Sequence, residues 1–171
     1  MRNLIFLCFS ITLTLLLVAC NKEKHSKIPT PTILTYEAIG YYCNMTIIDH
    51  YGPKGQIHLN KQSETIWFAS VRDTIAFTLL PEESKDIAVI YVSDMSSINS
   101  WNAINNIEWI DAKNAFYVIG SSKFGGMDTP ETIPFSAEEN AKIFIREYGG
   151  KIVNFSDIPK RYVLGIVRDD N

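Results

Sequence analysis

Apolar positions fall into three regimes along this chain. Leu4 to Val18 is an apolar run interrupted only by Cys8, Ser10, Thr12 and Thr14. Asn21 to Thr35 has no apolar period: NKEKHSKIPTPT is charged and then punctuated by proline, too polar to bury a core, and its His25 reads as solvated. From Tyr36 onward, short β-branched or alternating stretches take turns with stretches of helical period.

Two folded blocks follow from that pattern. Between Tyr36 and Pro81, Tyr41 to Ile48 reads as a strand closed by the turn formers DHYGPKG, and QIHL alternates as its returning partner. Ser63 offers an N-cap, and Trp67, Phe68, Val71 and Ile75 recur at helical spacing. Between Asp86 and Asp157, IAVIYVS and NAFYVIGS read as strands, while the apolar residues of NAINNIEWIDA are too scattered to assign. The loop SSKFGGMDTPE leads into a short strand. Ser136 and Glu139 then match a capping box, and Ala137, Ala141, Phe144, Ile145 and Tyr148 line one helical face. Gly149 and Gly150 end that helix, and KIVNF follows as a strand. QIHLNKQSETIWFASV and TIPFSAEENAKIFI share the order strand, polar cap, amphipathic helix. The fold class expected is α+β, with two similar small units over residues 36–84 and 85–171.

The first regime changes the picture of compartment. Met1 and Arg2 give a positive start, the apolar run is shorter than the roughly 20 residues of a spanning helix, and a small residue precedes Cys20. This is the pattern of a secretory signal over residues 1–19. LVAC also resembles the bacterial lipobox, which implies a diacylated Cys20, a lipidated tether over 20–35 and export to the cell envelope, anchored at a membrane facing the periplasm. Of three cysteines, Cys8 leaves with the signal and Cys20 is capped, so Cys43 has no intrachain partner. An unpaired thiol in an oxidising compartment calls for an explanation. The formal charge of −3 gives no basic patch, so nucleic acid is not an expected partner.

Cys43 and Met45 stand at i and i+2, which on a strand directs both side chains to one face. Thiolate beside thioether is a soft pair that suits Cu(I), and methionine argues against zinc. The same two residues also suit a packed core. Met127 lies in FGGMDTP, where Gly125 and Gly126 let the loop fold back toward the pair. It is either an accidental surface methionine or a third sulfur donor. His50, in the DHYGP turn, is a turn residue or a fourth, exchangeable ligand. His58 shares its strand face with Gln56 and reads as solvated. No P-loop, nucleophile-elbow or zinc-protease motif occurs. A Cys43 nucleophile with a histidine base stays open, as does a lipid-tethered interaction module with an inert Cys43.

YYCNMTI with GQIHL, and then EWIDAKNAFYVIGSS and GGMDTPETIPFSAEENAKIFIREYGGKIVNFSDIP, resemble the NosL family of lipoproteins, accessory proteins for the copper enzyme nitrous oxide reductase. The resemblance runs from about Tyr36 to Leu164. It implies a copper chaperone, not an enzyme, that is MerB-like in fold. Such a protein binds one Cu(I) per chain and delivers it with a membrane ABC-type complex toward the reductase. It places Cys43 and Met45 in the family's C-x-M motif and Met127 at the later methionine, without placing the family's histidine. MerB chemistry in its own family uses two cysteines, where one survives processing here. Two positions depart from the family: Asn44 stands between cysteine and methionine where glycine is common, and Asp128 follows the second methionine where glycine is frequent. Asparagine tolerates the left-handed conformation that glycine permits. Three donors would leave a low-coordinate ion open to ligand exchange.

Overall fold

The computed structural model of the chain describes residues 28–96, 101 and 107–165. The expected signal peptide, Cys20, His25 and part of NAINNIEWIDA lie outside the described residues.

Two antiparallel sheets carry the fold, which is α+β as the alternation of periods predicts. The first sheet contains β1 (Gly55–Leu59), β2 (Ile66–Phe68), β3 (Ile87–Ser93) and β4 (Trp109–Asp111), in the order β2-β1-β3-β4. The second contains β5 (Phe116–Ile119), β6 (Ile133–Phe135) and β7 (Lys151–Asn154), in the order β6-β5-β7. Among the described residues three helices pack with them: α1 (Val71–Leu79), α2 (Glu138–Tyr148) and the short α3 (Lys160–Leu164). The boundary expected at residues 84 and 85 falls inside the first sheet, since β3 pairs with β1 across it.

The β-branched run IAVIYVS becomes β3 and pairs with β1 through Ile57 opposite Ile90 and Gly55 opposite Val92. Flanked on both sides and covered on both faces, β1 is buried at all five positions. A methyl group on Gly55 would overlap the Thr74 side chain, so α1 and β1 touch where only glycine fits. Ile57, Phe68, Val71, Ile75, Phe77, Ile90, Val92 and Tyr117 form the main core. Met95, Val118, Ile133, Phe135, Ala141 and Phe144 form a second cluster beneath α2. Burying one such side chain stabilises the fold by about 1.5–3 kcal/mol. Pro134 sits within β6, an edge strand, where its missing N–H breaks no ladder.

Four expectations are corrected. Tyr41–Ile48 is not a strand: residues 41–43 turn, Thr46 bridges to Ile39, and Ile47–Asp49 forms a 3-10 turn. Trp67 and Phe68 belong to β2 rather than to a helix, and α1 begins at Val71 with Ser70, not Ser63, as its cap; the Ser70 hydroxyl accepts from the Asp73 N–H at 3.3 Å. The capping box at Ser136 does not form. Helix α2 starts one residue later on Ala137 with no side-chain cap, while the Ser136 N–H donates to Asp94. His58 is buried, not solvated: its Nε2 donates to Gln56 Oε1 at 2.8 Å, and burial pushes the imidazole below its ordinary range.

Residues from Ile28 to Thr35, assigned from sequence to the tether, are strapped to the first sheet. Gln56 Oε1 accepts from the Thr32 N–H at 2.8 Å and Gln56 Nε2 donates to the Thr32 carbonyl at 3.1 Å, so one side chain imitates a strand pairing. The Tyr91 hydroxyl donates to the Pro29 carbonyl at 2.8 Å.

Candidate metal centre

Cys43 is held by a tight loop. Ile39 and Thr46 bridge antiparallel, the Gly40 N–H donates to the Met45 carbonyl at 2.8 Å, and the Asn44 N–H donates to the Gly40 carbonyl at 2.9 Å. The chain reverses inside this ring because Asn44 takes φ +57°, the left-handed region. Gly40 has no room for a side chain, since a Cβ there would overlap Cys43 Sγ. The two sulfur residues therefore share a loop rather than a strand face. Cys43 is half-buried against a small cluster of Ala38, Ile47 and Ala69, and Met45 is 42% exposed.

Met127 reaches the same cluster from a distant part of the sequence. Its loop is pinched by a bridge between Phe124 and Pro130 and by the Gly125 N–H donating to the Thr129 carbonyl at 2.9 Å. Asp128 closes it with φ +52°. Both positions at which the resemblance implies glycine, Asn44 and Asp128, are thus left-handed. Asparagine and aspartate are the side chains that tolerate this region best. The Asp128 carboxylate also accepts from the Tyr51 hydroxyl, tying the Met127 loop to the segment after His50.

His50 completes the group. It follows the Ile47–Asp49 turn, and its Nδ1 lies 3.0 Å from the Gly126 carbonyl oxygen. A carbonyl only accepts, so Nδ1 carries the proton and Nε2 of the neutral ring keeps its lone pair. That Nε2 is buried and has no hydrogen-bond partner among the described residues. A Cβ on Gly126 would come within 2.7 Å of His50 Cβ, so glycine permits the ring's approach. Of the two candidate histidines, the fold brings His50 to the Met127 loop. It commits His58 to Gln56 within β1.

Two buried charges were not foreseen from sequence. Lys54 Nζ donates to the Tyr51 and Gly52 carbonyls at 2.9 and 2.7 Å, and burial lowers its pKa to about 8. Glu131 Oε1 accepts from the Arg72 and Thr132 N–H groups at 2.8 and 2.7 Å, and burial raises its carboxyl to about 7. A Cβ on Gly125 would collide with Glu131 Oε2. Lys54 holds the segment after His50, Glu131 lies against Gly125, and the Glu131 carboxylate pulls the Lys54 pKa partly back up. Nothing in the local sequence pattern marks either as buried.

Cys43 and Met127 pack against one small cluster, His50 reaches the Met127 loop through the Gly126 carbonyl, and Met45 lies exposed beside Cys43. This is a donor set for a soft or borderline d¹⁰ cation. Cys43 Sγ makes its hydrogen bond to the Met45 carbonyl, a long contact of 4.0 Å, and to neither histidine. The described residues therefore contain no hydrogen-bonded cysteine–histidine pair of the kind nucleophilic catalysis uses.

Comparison with known proteins gives a consistent result. The NosL family profile matches residues 31–163. The copper-binding lipoprotein NosL of Achromobacter cycloclastes is 40% identical over 150 residues, covering 87% of this chain and 77% of the relative. That of Stutzerimonas stutzeri is 32% identical over 118 residues, covering 69% of this chain and 60% of the relative. Among solved structures, the crystal structure of the copper chaperone NosL from Shewanella denitrificans superposes with a TM-score of 0.69 at 31% identity. That superposition covers 78% of this chain and 98% of that one. The solution structure of apo-NosL from Achromobacter cycloclastes gives 0.51 at 39% identity, covering 69% and 94%.

Proposed function

The chain belongs to the NosL family, and from that premise we propose that it binds one Cu(I) and surrenders it by ligand exchange. Cys43, Met127 and His50 hold the ion, and Met45 is the exchangeable donor at the mouth. The carrying observation is the buried Nε2 of His50, without a hydrogen-bond partner among the described residues, beside a loop whose Met127 packs on the same cluster as Cys43. An imidazole locked in this tautomer by a carbonyl is how proteins prepare a histidine ligand. One thiolate offsets the single charge of Cu(I), leaving the site neutral, and the thiol gives up its proton on uptake. A partner's soft ligand enters where Met45 is exposed and takes the ion donor by donor.

The relatives named as lipoproteins support an envelope protein anchored through lipid on Cys20. The delivery route proposed is toward nitrous oxide reductase through a membrane ABC-type complex. X-ray absorption on the Cu(I)-loaded chain tests the site by counting sulfur against nitrogen neighbours. Two or three sulfurs and one nitrogen are expected in the wild type, with the nitrogen lost in His50→Ala and kept in His58→Ala. A preparation that retains no Cu(I) under anaerobic dialysis overturns the proposal.

A further inference from the structure

The face around this site has a chemistry of its own. Ile39, Tyr41, Tyr42 and Met45 on the Cys43 loop, and Tyr51 and Phe124 beside the Met127 loop, are all exposed. Exposed large apolar side chains on both loops mark an interaction surface, and aromatic residues dominate the centres of protein interfaces.

Carboxylates frame the patch, and tyrosines hold them. Glu83 accepts from the Tyr42 hydroxyl at 2.8 Å and from the Tyr41 hydroxyl at 3.2 Å; on the Met127 loop Asp128 accepts from the Tyr51 hydroxyl. Neither carboxylate is in an ion pair among the described residues. Among the described residues, the cations Lys85, Lys123 and Lys54 are engaged elsewhere. Lys85 donates to the Thr78 and Leu80 carbonyls at the end of α1, Lys123 lies over the Trp101 and Tyr148 rings, and Lys54 is buried on backbone carbonyls. A groove of about 390 Å³ continues from Tyr41 past Trp67, lined by Glu64, Glu82 and Glu83 with no lysine or arginine.

We infer that this face docks a protein segment carrying arginine or lysine around an apolar centre, and that this segment belongs to the copper donor or acceptor. The inference rests on the copper reading for the partner's role, but on geometry and charge for its chemistry. Each cation of such a segment meets a carboxylate already fixed by tyrosine hydroxyls and lies against exposed aromatic rings, where cation–π attraction adds to the ion pair. Charge of this kind steers encounter and fixes orientation. An anionic lipid surface is repelled by the same carboxylates.

The test uses the full chain in detergent, copper-free and copper-loaded, and two fluorescent peptides with the same methionine-bearing apolar centre. One is flanked by arginines and the other by glutamates. The arginine peptide is expected to bind at least about tenfold more tightly at low salt. High salt and Glu83→Lys should each reduce that preference to within about twofold. Glu83→Gln, which keeps an acceptor for a tyrosine hydroxyl, should fall between. Equal binding of the two peptides at low salt overturns the inference, as does flotation of an unlipidated Cys20→Ala chain with phosphatidylglycerol vesicles in the absence of peptide and detergent. A chain that keeps the preference but holds no Cu(I) upholds the docking chemistry and sinks the copper reading alone.

Discussion

His50 Nδ1 and the Gly126 carbonyl oxygen, 3.0 Å apart, join the two loops that carry the candidate donors. The contact fixes the ring's tautomer and its position together, because the carbonyl belongs to the residue before Met127. Affinity for Cu(I) should therefore respond to His50 and not to His58. Replacing His50 with glutamine should weaken Cu(I) binding about tenfold or more, ~1.4 kcal/mol, in competition with a chromophoric chelator. His58→Gln should stay within about twofold; the reverse order would remove His50 from the site.

Among the sulfurs, Cys43 should dominate. It is half-buried, and it alone brings a negative charge to the ion, whereas Met45 is exposed. Cys43→Ser should cost far more affinity than Met45→Leu. Met45→Leu should instead slow transfer to a soft acceptor. Equal affinities for wild type and both variants would refute the ranking.

The left-handed turn at residue 44 predicts a backbone effect. Asn44→Gly should be near neutral in thermal unfolding, while Asn44→Val should lose about 1–2 kcal/mol, since a β-branched residue is strained at φ +57°. The loop around Cys43 should loosen with it, and thiol alkylation should quicken.

Gly126→Ala makes a steric prediction at the other loop. Its methyl would meet His50 Cβ and the Tyr51 carbonyl, each at 2.7 Å. Overpacking of this kind typically costs ~1–3 kcal/mol. Copper affinity should fall along with stability. A substitution tolerated in both measurements would show that the loops do not meet as described.

The buried charges predict a shape for stability against pH. Burial raises Glu131 to about 7, so between about 4.5 and 7 the unfolded chain releases a proton that the folded chain keeps. Stability from this group is fully present below that window and lost as pH rises through it, on the order of 3 kcal/mol. Burial lowers Lys54 to about 8, so the opposite holds above it: stability rises from about 8 toward the ordinary lysine value near 10.4. Together they place a minimum near pH 7 to 8 in urea denaturation. Glu131→Gln should flatten the acid side and Lys54→Met the alkaline side.

What could be read in the sequence depended on whether neighbours along the chain or across space decide a residue's state. IAVIYVS announces β3 because its β-branched run fits a buried strand whatever flanks it, and α2 announces itself through Ala141, Phe144, Ile145 and Tyr148. Trp67 and Phe68 fit a helical spacing equally well, and only pairing with Gly55 and Gln56 makes them a strand. Tyr41–Ile48 has strand composition, but the ring of hydrogen bonds around Asn44 reverses it. His58 reads as solvated until the strap of residues 28–35 is seen to bring Thr32 onto Gln56, its partner. At the candidate centre, residue identity reveals the kind of donor, so the sulfurs stand out at once. Which histidine joins them depends on a contact between two loops, and no local pattern carries that.

The strap has one more implication. Because the chain is already fastened to the sheet at Pro29, Cys20 lies only nine residues before a fixed point, a reach of at most roughly 32 Å whatever the conformation between them. With lipid on Cys20, the body would ride close above the bilayer on a short leash, confined to partners that stand at the same height.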